Sequence, residues 1–534
     1  MTSVRYLILI IIACLLTSCR PGGQKVASER ALHLIVNSAP EALDPRYASS
    51  AVAENILQLI YAPLFLPGDD LLPKPFLAAG YTEHSPTAFL IHLRPDAYFH
   101  DGTPISAEDV VYTFGELNST DVNSPHAAKF KYIRQISALG PHLVRFELKE
   151  PYAPFLLDLC GMGIVSKKSC SGRSQQCRFE LNGSGPFRVA KYHNATDKIS
   201  LQPNPKWFTG APKLPEIDIR VVRDPTTRLL ELIKGKADMA MAGAILPIQL
   251  PALDAYRGQL NVYSQPGLGY GYIGMNLRGP RNPSATQESE QDRTRRALAH
   301  QDVRRALALA INVDEIIVTK FRGKARRASG MIPDGHWAKA SGLRPLPYDP
   351  QLAQKLLDRA GFYDRGRRKH GRFRLTISAT PDRFRQSIAL IYAHAFRQIG
   401  VDVSVRVQDW ASLYQDIKQG NFEMFSAMWT PVLEPDLLHW VFHSENIPSA
   451  NHGGGNRGSF RDALIDKWTT EARHSDDLLE RKRLYQAIEE RLQETLPYIP
   501  LWFEDDTIVA SKRVKGFRQM RSGSLLELMR ATKQ

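Results

Sequence analysis

The chain lacks a Gly-x-Ser-x-Gly elbow anywhere, so the esterase-like run His452-Gly453-Gly454-Gly455 has no nucleophile to serve and reads as a flexible loop. It also lacks a glycine loop ending in Gly-Lys-Ser/Thr, so any ATP hydrolysis belongs to a partner. After the N-terminus, no apolar run reaches the roughly 20 residues that cross a bilayer. Internal repeats and low-complexity segments are absent. His439 and His443 stand four apart, a spacing that can hold a metal, but the pair lacks a third ligand nearby. They read as helix-face histidines, and no metal or cofactor is expected.

What is present is a soluble globular balance, 43% hydrophobic and 23% charged over 534 residues. The formal charge is +14, and the basic residues gather at 293–296, 320–327, 365–374 and 512–521. They have little aromatic interleaving and no helix-turn-helix, zinc-finger or RNA-binding motif beside them. They read as solvated faces or as attraction to anionic lipid, and nucleic acid is not expected as a partner.

Arg5 precedes an eleven-residue apolar run, 6–16, too short to span a membrane but suited to an export signal. The following Leu16-Thr17-Ser18-Cys19 resembles the bacterial lipobox. That resemblance implies a signal peptide over 1–18, lipid on Cys19, and a polar tether over 19–30. The body would then stand in the oxidising periplasm, held to the membrane by its lipid anchor. Cys14 would be lost, leaving Cys160, Cys170 and Cys177 as thiols. Cys170 and Cys177 flank the polar run SGRSQQ and could close a small disulfide loop, the alternative being free or otherwise paired thiols. Cys160, among Leu156, Leu157, Leu159 and Met162, reads as core filling.

Residues 89–117, FLIHLRPDAYFHDGTPISAEDVVYTFGEL, predict a strand, a tight turn and an amphipathic helix. Phe89, Ile91 and Leu93 alternate with outward positions, and Asp101-Gly102 turns the chain. Ser106 and Asp109 form a Ser-x-x-acid capping pattern ahead of Val110, Val111, Phe114 and Leu117. The order Arg, Asp, Phe, Asp-Gly, Ala-Glu-Asp-Val resembles the signature of the family 5 extracytoplasmic solute-binding proteins, the dipeptide and oligopeptide receptors of ABC importers.

The resemblance runs over about residues 33 to 520. It includes Leu43-Asp44-Pro45, the turn 182–187 (NGSGPF), Asn204-Pro205-Lys206-Trp207-Phe208, the helical segments 302–311 and 349–361, and Val514-Lys515-Gly516-Phe517. Segment 265–271, QPGLGYG, reads as a turn-rich lobe crossing ahead of a strand over 272–276. Asp349 and Pro350 open a helix that Gly361 terminates, and Gly235 ends another over 228–238.

The departure from the family lies at 428–442, MWTPVLEPDLLHWVF. Peptide-binding members place an Asp three residues after the Trp, where it holds the peptide's amino terminus. Here Val432 and Leu433 occupy that point, and Glu434 and Asp436 follow. Either one of these acids takes over, or the ammonium is not recognised in this way. Trp429 is a candidate pocket wall, with Tyr47 and Tyr272 as candidates for the opposite side.

The resemblance implies an α/β, two-lobed periplasmic-binding-protein (Venus flytrap) fold with an extra subdomain. Lobe I would cover 31–265, with the subdomain at about 61–180; lobe II would cover 266–503, and 504–534 would return to lobe I. It implies a non-enzymatic, monomeric lipoprotein that captures peptides and passes them to ABC permease subunits served by a separate ATPase. The alternatives are a non-peptide solute, such as haem or a nickel complex, and a secreted hydrolase, which the missing motifs disfavour.

Overall fold

The computed structural model describes residues 30–534 except 118, 120–121, 173–176, 178–180, 194–197, 282–287, 365–370, 430 and 450–452. The proposed signal peptide, Cys19, the tether up to residue 29, and His452 therefore lie outside the described residues.

The architecture is mixed α/β and two-lobed, organised on one eleven-stranded sheet. At its centre two long strands, Leu260–Met275 and Tyr498–Ser511, run antiparallel. On one side follow Met239–Ala240, Leu32–Val36, Ile217–Val221, Lys198–Pro203 and Phe187–His193. On the other lie Met424–Met428, Arg374–Ala379 and Asp402–Val407, and the short strand Ala325–Arg327 pairs with Tyr498–Ser511 off this path. Leu32–Val36 is parallel to Ile217–Val221, and Arg374–Ala379 is parallel to both of its neighbours. Such strands are covered on both faces, and Leu32, Leu34, Ile35 and Val36 are accordingly all buried in a nearly continuous apolar run.

The pairing of the two central strands shifts register between Pro266 and Tyr270. The segment expected as a turn-rich crossing is therefore a bulge inside one continuous strand. Pairing before and after the shift satisfies the backbone on either side, and Pro266 and Gly267 are tolerated where the ladder is interrupted. Gly267 is required there, because a Cβ at this position would come within 2.1 Å of the Glu504 carbonyl oxygen.

A second sheet, of four antiparallel strands in the order Ala78–Ser85, Ala88–Leu93, Leu143–Leu148 and Ile133–Gly140, carries its own core. Phe89, Ile91, Val110, Phe114 and Phe146 meet in it. The helix Ala107–Glu116 opens with the expected capping box, Ser106 N–H donating to Asp109 Oδ2 at 2.9 Å. Gly102 turns the chain before it with φ +86°. The other expected caps are present too: Asp349 Oδ1 accepts from Leu352 N–H at 2.8 Å, and Gly361 adopts φ +81°.

On the side of the large sheet that ends in Phe187–His193, a core gathers Leu34, Ile56, Phe187, Leu201 and Ile219. On the side that ends in Asp402–Val407 there are two further cores, one holding Leu307, Leu357, Ile377 and Phe396, the other Tyr272, Phe425, Leu438 and Tyr485. Cys170 and Cys177 are joined, their Cα atoms 5.0 Å apart, and Cys160 is free and buried.

Candidate functional site

Strand Met424–Met428 delivers its carboxyl end to Trp429, whose N–H donates to the Tyr270 carbonyl at 2.9 Å. In open α/β sheets, crevices form outside the carboxyl ends of such strands. The Trp429 ring stacks on Tyr272, centroids 6.0 Å apart and planes 12° from parallel. Tyr272 stacks in turn on Tyr498 at 5.1 Å and is itself buried. Tyr272 thus backs the Trp429 ring. The third candidate, Tyr47, sits on the Asp44 turn, outside this stack. The Arg46 guanidinium lies 5.7 Å from its ring centre. Arg46 is fully buried and held by Asp44 through bonds of 3.1 and 2.7 Å.

The loop after Trp429 carries both candidate acids, and each meets an arginine. Glu434 Oε1 accepts from Arg481 Nη2 at 2.6 Å. Asp436 accepts from Arg473 Nε at 3.0 Å and Nη2 at 2.7 Å. Burial pushes the Glu434 carboxyl up to about 7, with Arg481 pulling it back down. Burial raises Asp436 as well, opposed by Arg473. Neither acid presents an uncompensated carboxylate in this conformation.

Arg473 also ties two cores together. Its guanidinium lies 5.2 Å from the Tyr132 ring centre and 5.6 Å from that of Tyr152, and its Nη1 donates to the Tyr132 hydroxyl. Those two rings stack at 4.2 Å, and the Tyr152 hydroxyl donates to Asp158 at 3.0 Å. The Arg473 carbonyl accepts from Ala153 N–H at 2.8 Å. Leu433 packs against the core of the four-stranded sheet, and its carbonyl lies 3.2 Å from His336 Nε2. The loop 431–436 and Arg473 therefore join the core around Tyr272 and Tyr485 to that of the smaller sheet.

The arginines escaped the sequence reading, although a signal existed. In helix Ala463–His474 the buried positions are Ile465, Thr469, Ala472 and Arg473; in Leu478–Thr495 they include Arg481, Leu484, Tyr485 and Ile488. A charged residue on an apolar stripe at helical spacing needs a buried partner.

The histidine pair does have a third group beside it, which the sequence reading missed. His439 Nε2 lies 3.5 Å from Glu445 Oε1, and the two imidazoles stack at 4.3 Å. His443 Nδ1 accepts from Glu445 N–H at 3.1 Å, capping the short turn that follows. His439 Nδ1 faces the Asn446 amide at 3.2 Å.

The family model of the bacterial extracellular solute-binding proteins, family 5 Middle, matches residues 73–448, well over half of the chain. The chain belongs to this family. Among curated relatives it is similar to the glutathione-binding protein GsiB of Salmonella typhimurium, 26% identical over 487 residues and 89% of each chain. The glutathione-binding protein GsiB of Escherichia coli O157:H7 is 26% identical over 519 residues, 95% of this chain and 94% of that one. Among solved structures, NikZ from Campylobacter jejuni in complex with Ni(L-His) superimposes with a TM-score of 0.78. It is 25% identical and covers 95% of this chain and all of its own. The oligopeptide-binding protein AppA from Bacillus subtilis, in complex with a nonapeptide, gives 0.77 at 20% identity, covering 94% and 99%. As a family 5 member the chain is an extracytoplasmic solute-binding component of ABC transport, a non-catalytic class. Among the described residues no helix is long and apolar enough to cross a membrane.

Proposed function

We propose that this protein captures peptides in the cleft between its lobes and delivers them to an ABC permease, with no chemistry done on the ligand. The observation that carries the reading is the family match, joined to curated relatives that bind glutathione, a peptide, over nearly the whole chain. In this reading lobe I covers 31–265 and 504–534, lobe II covers 266–503, and the subdomain lies within about 61–180. The register shift at Pro266–Tyr270 is where closure would bend the molecule. A ligand that contacts both lobes favours the closed form and shifts the population toward it. Cys19 would carry the lipid that holds the protein, as a monomer, to the periplasmic membrane face.

A second reading is favoured by one observation. Glu434 and Asp436 are paired with Arg481 and Arg473, so the loop offers no free acid to a peptide's ammonium. That arrangement suits a solute without an anchored amino terminus, including a non-peptide.

Native mass spectrometry of protein beginning at residue 20, purified without denaturant, separates the two. A spread of masses at amino-acid spacing supports the peptide reading. A single sharp non-peptide mass overturns it in favour of the second.

A further inference from the structure

The strands Arg374–Ala379 and Asp402–Val407 each turn one row of side chains into a core and the other row away from it. Leu375, Ile377 and Val403 belong to the first row; Thr376, Ser378, Ser404 and Arg406 belong to the second. This polar row and the helix Glu290–Ala299 line two adjoining cavities of about 570 and 150 Å³, whose walls share Gln291, Thr376 and Glu423. Glu423 and Trp429 stand at opposite ends of the strand Met424–Met428, about 20 Å of extended chain apart. The cavities therefore lie away from the crevice at Trp429.

The charges in these walls are only partly paired. Arg374 bridges Glu290 and Asp402 at 3.1 Å each, so both of those acids have a guanidinium beside them. Glu423 accepts from Thr376 N–H at 2.5 Å but meets no guanidinium. Arg295 and Arg406 line the smaller cavity with it, and among the described residues neither side chain makes a hydrogen bond or an ion pair. Both fields reach Glu423, yet neither arginine comes within ion-pair distance of it. Burial raises the Glu423 carboxyl above its ordinary range, and burial with the like charges of Arg281 and Arg278 holds Arg295 below its own. The backbone carrying Glu423 is fixed: Asn276 Nδ2 donates to the Gly420 and Phe422 carbonyls at 3.0 and 2.9 Å, and Asn276 N–H donates to the Glu423 carbonyl at 3.0 Å. Two cations and an anion thus face one open cavity without touching.

We propose that this pair of cavities binds a free α-amino acid, its carboxylate on Arg295 and Arg406 and its ammonium on Glu423. The smaller cavity takes the charged head, and the larger gives the side chain room among the hydroxyls of Thr294, Thr376 and Ser404. A guanidinium offers parallel donors that match a carboxylate, and Gln291 and Ser378 add donors in the same wall. The site is separate from the interlobe cleft of the proposed function and does not depend on it. Each charged end makes charge-assisted bonds, so a ligand lacking either end binds ~10–100-fold more weakly.

The test titrates the protein beginning at residue 20 with the common free amino acids by ligand-detected NMR, and then with the amides and 2-hydroxy acids of those that bind. The amide lacks the carboxylate and the hydroxy acid lacks the ammonium; each should bind ~10–100-fold more weakly than its amino acid. Arg406→Gln and Glu423→Gln should each weaken the amino acid by a similar factor while leaving the masses retained in native mass spectrometry unchanged. Binding of no free amino acid overturns the site, as does equal binding of amino acid, amide and hydroxy acid. Unaltered affinity in both variants overturns it too, by placing the amino acid elsewhere, the interlobe cleft included. If Glu423→Gln fails to fold, Arg406→Gln decides, because Arg406 is exposed on the sheet's outermost strand. Loss of peptide masses from the unaltered protein would overturn the peptide reading alone and leave this site standing.

Discussion

The carboxylate of Asp436 and the guanidinium of Arg473 meet through two bonds of 3.0 and 2.7 Å, with both side chains more than nine-tenths buried. Removing one member strands the other charge out of water, so Asp436→Leu and Arg473→Met should each cost ~3–5 kcal/mol. The double variant should cost far less than the two together, because no lone charge remains. Urea unfolding of the four proteins gives this cycle. Additive losses would mean that the two residues act independently.

His336 should make the protein sensitive to acid. Its Nδ1 accepts from Ala338 N–H at 3.1 Å, and its Nε2 donates to the Leu433 carbonyl at 3.2 Å, so the neutral ring is the form that fits. Burial pushes its pKa down from 6.5 to about 4. Between those values the unfolded chain binds a proton that the folded one refuses. The contribution is therefore whole above pH 6.5 and is lost as pH falls toward 4, by up to ~3 kcal/mol. His336→Gln should show a shallower fall of unfolding free energy over that window; identical slopes would exclude His336 as the source.

Reducing the Cys170–Cys177 bond opens a short loop beside the core of Leu34, Ile56 and Phe187, in which both cysteines are buried. Loop-closure entropy for so short a loop gives ~2–3 kcal/mol. Melting with and without reductant should show the loss. Thiol titration of unfolded, unreduced protein beginning at residue 20 should find Cys160 alone; three reactive thiols would show that the bond is not formed.

Gly267→Ala tests the bulge in the central strands. The added methyl meets the Glu504 carbonyl oxygen and must push the strands apart, at ~1–3 kcal/mol. A lowered melting temperature with an altered small-angle scattering radius is the expected pair of results. An unchanged radius would mean that the strain is absorbed without moving the lobes.

Much of the fold could be read from local pattern. Ser106 with Asp109, Asp349 with Leu352, and the positive-φ glycines at 102, 235 and 361 are each governed by residues within a few positions, and each is found as expected. The turn-rich run expected at 265–271 is instead part of a strand for the same reason: Pro266, Gly267 and Gly269 look like a turn until a partner strand more than two hundred residues away pairs on both sides of them.

The site divides along that line. The sequence by itself determined the caps, the apolar stripes, the Trp429 landmark, and the absence of an Asp where family members carry one. Only the tertiary structure decided what the replacement acids do, because Asp436 finds Arg473 37 positions away and Glu434 finds Arg481 47 positions away. Local propensity acts through hydrogen bonds within a turn or two of chain. The partner of a buried charge is chosen by how whole helices pack, and that choice set Arg473 and Arg481 on the acids.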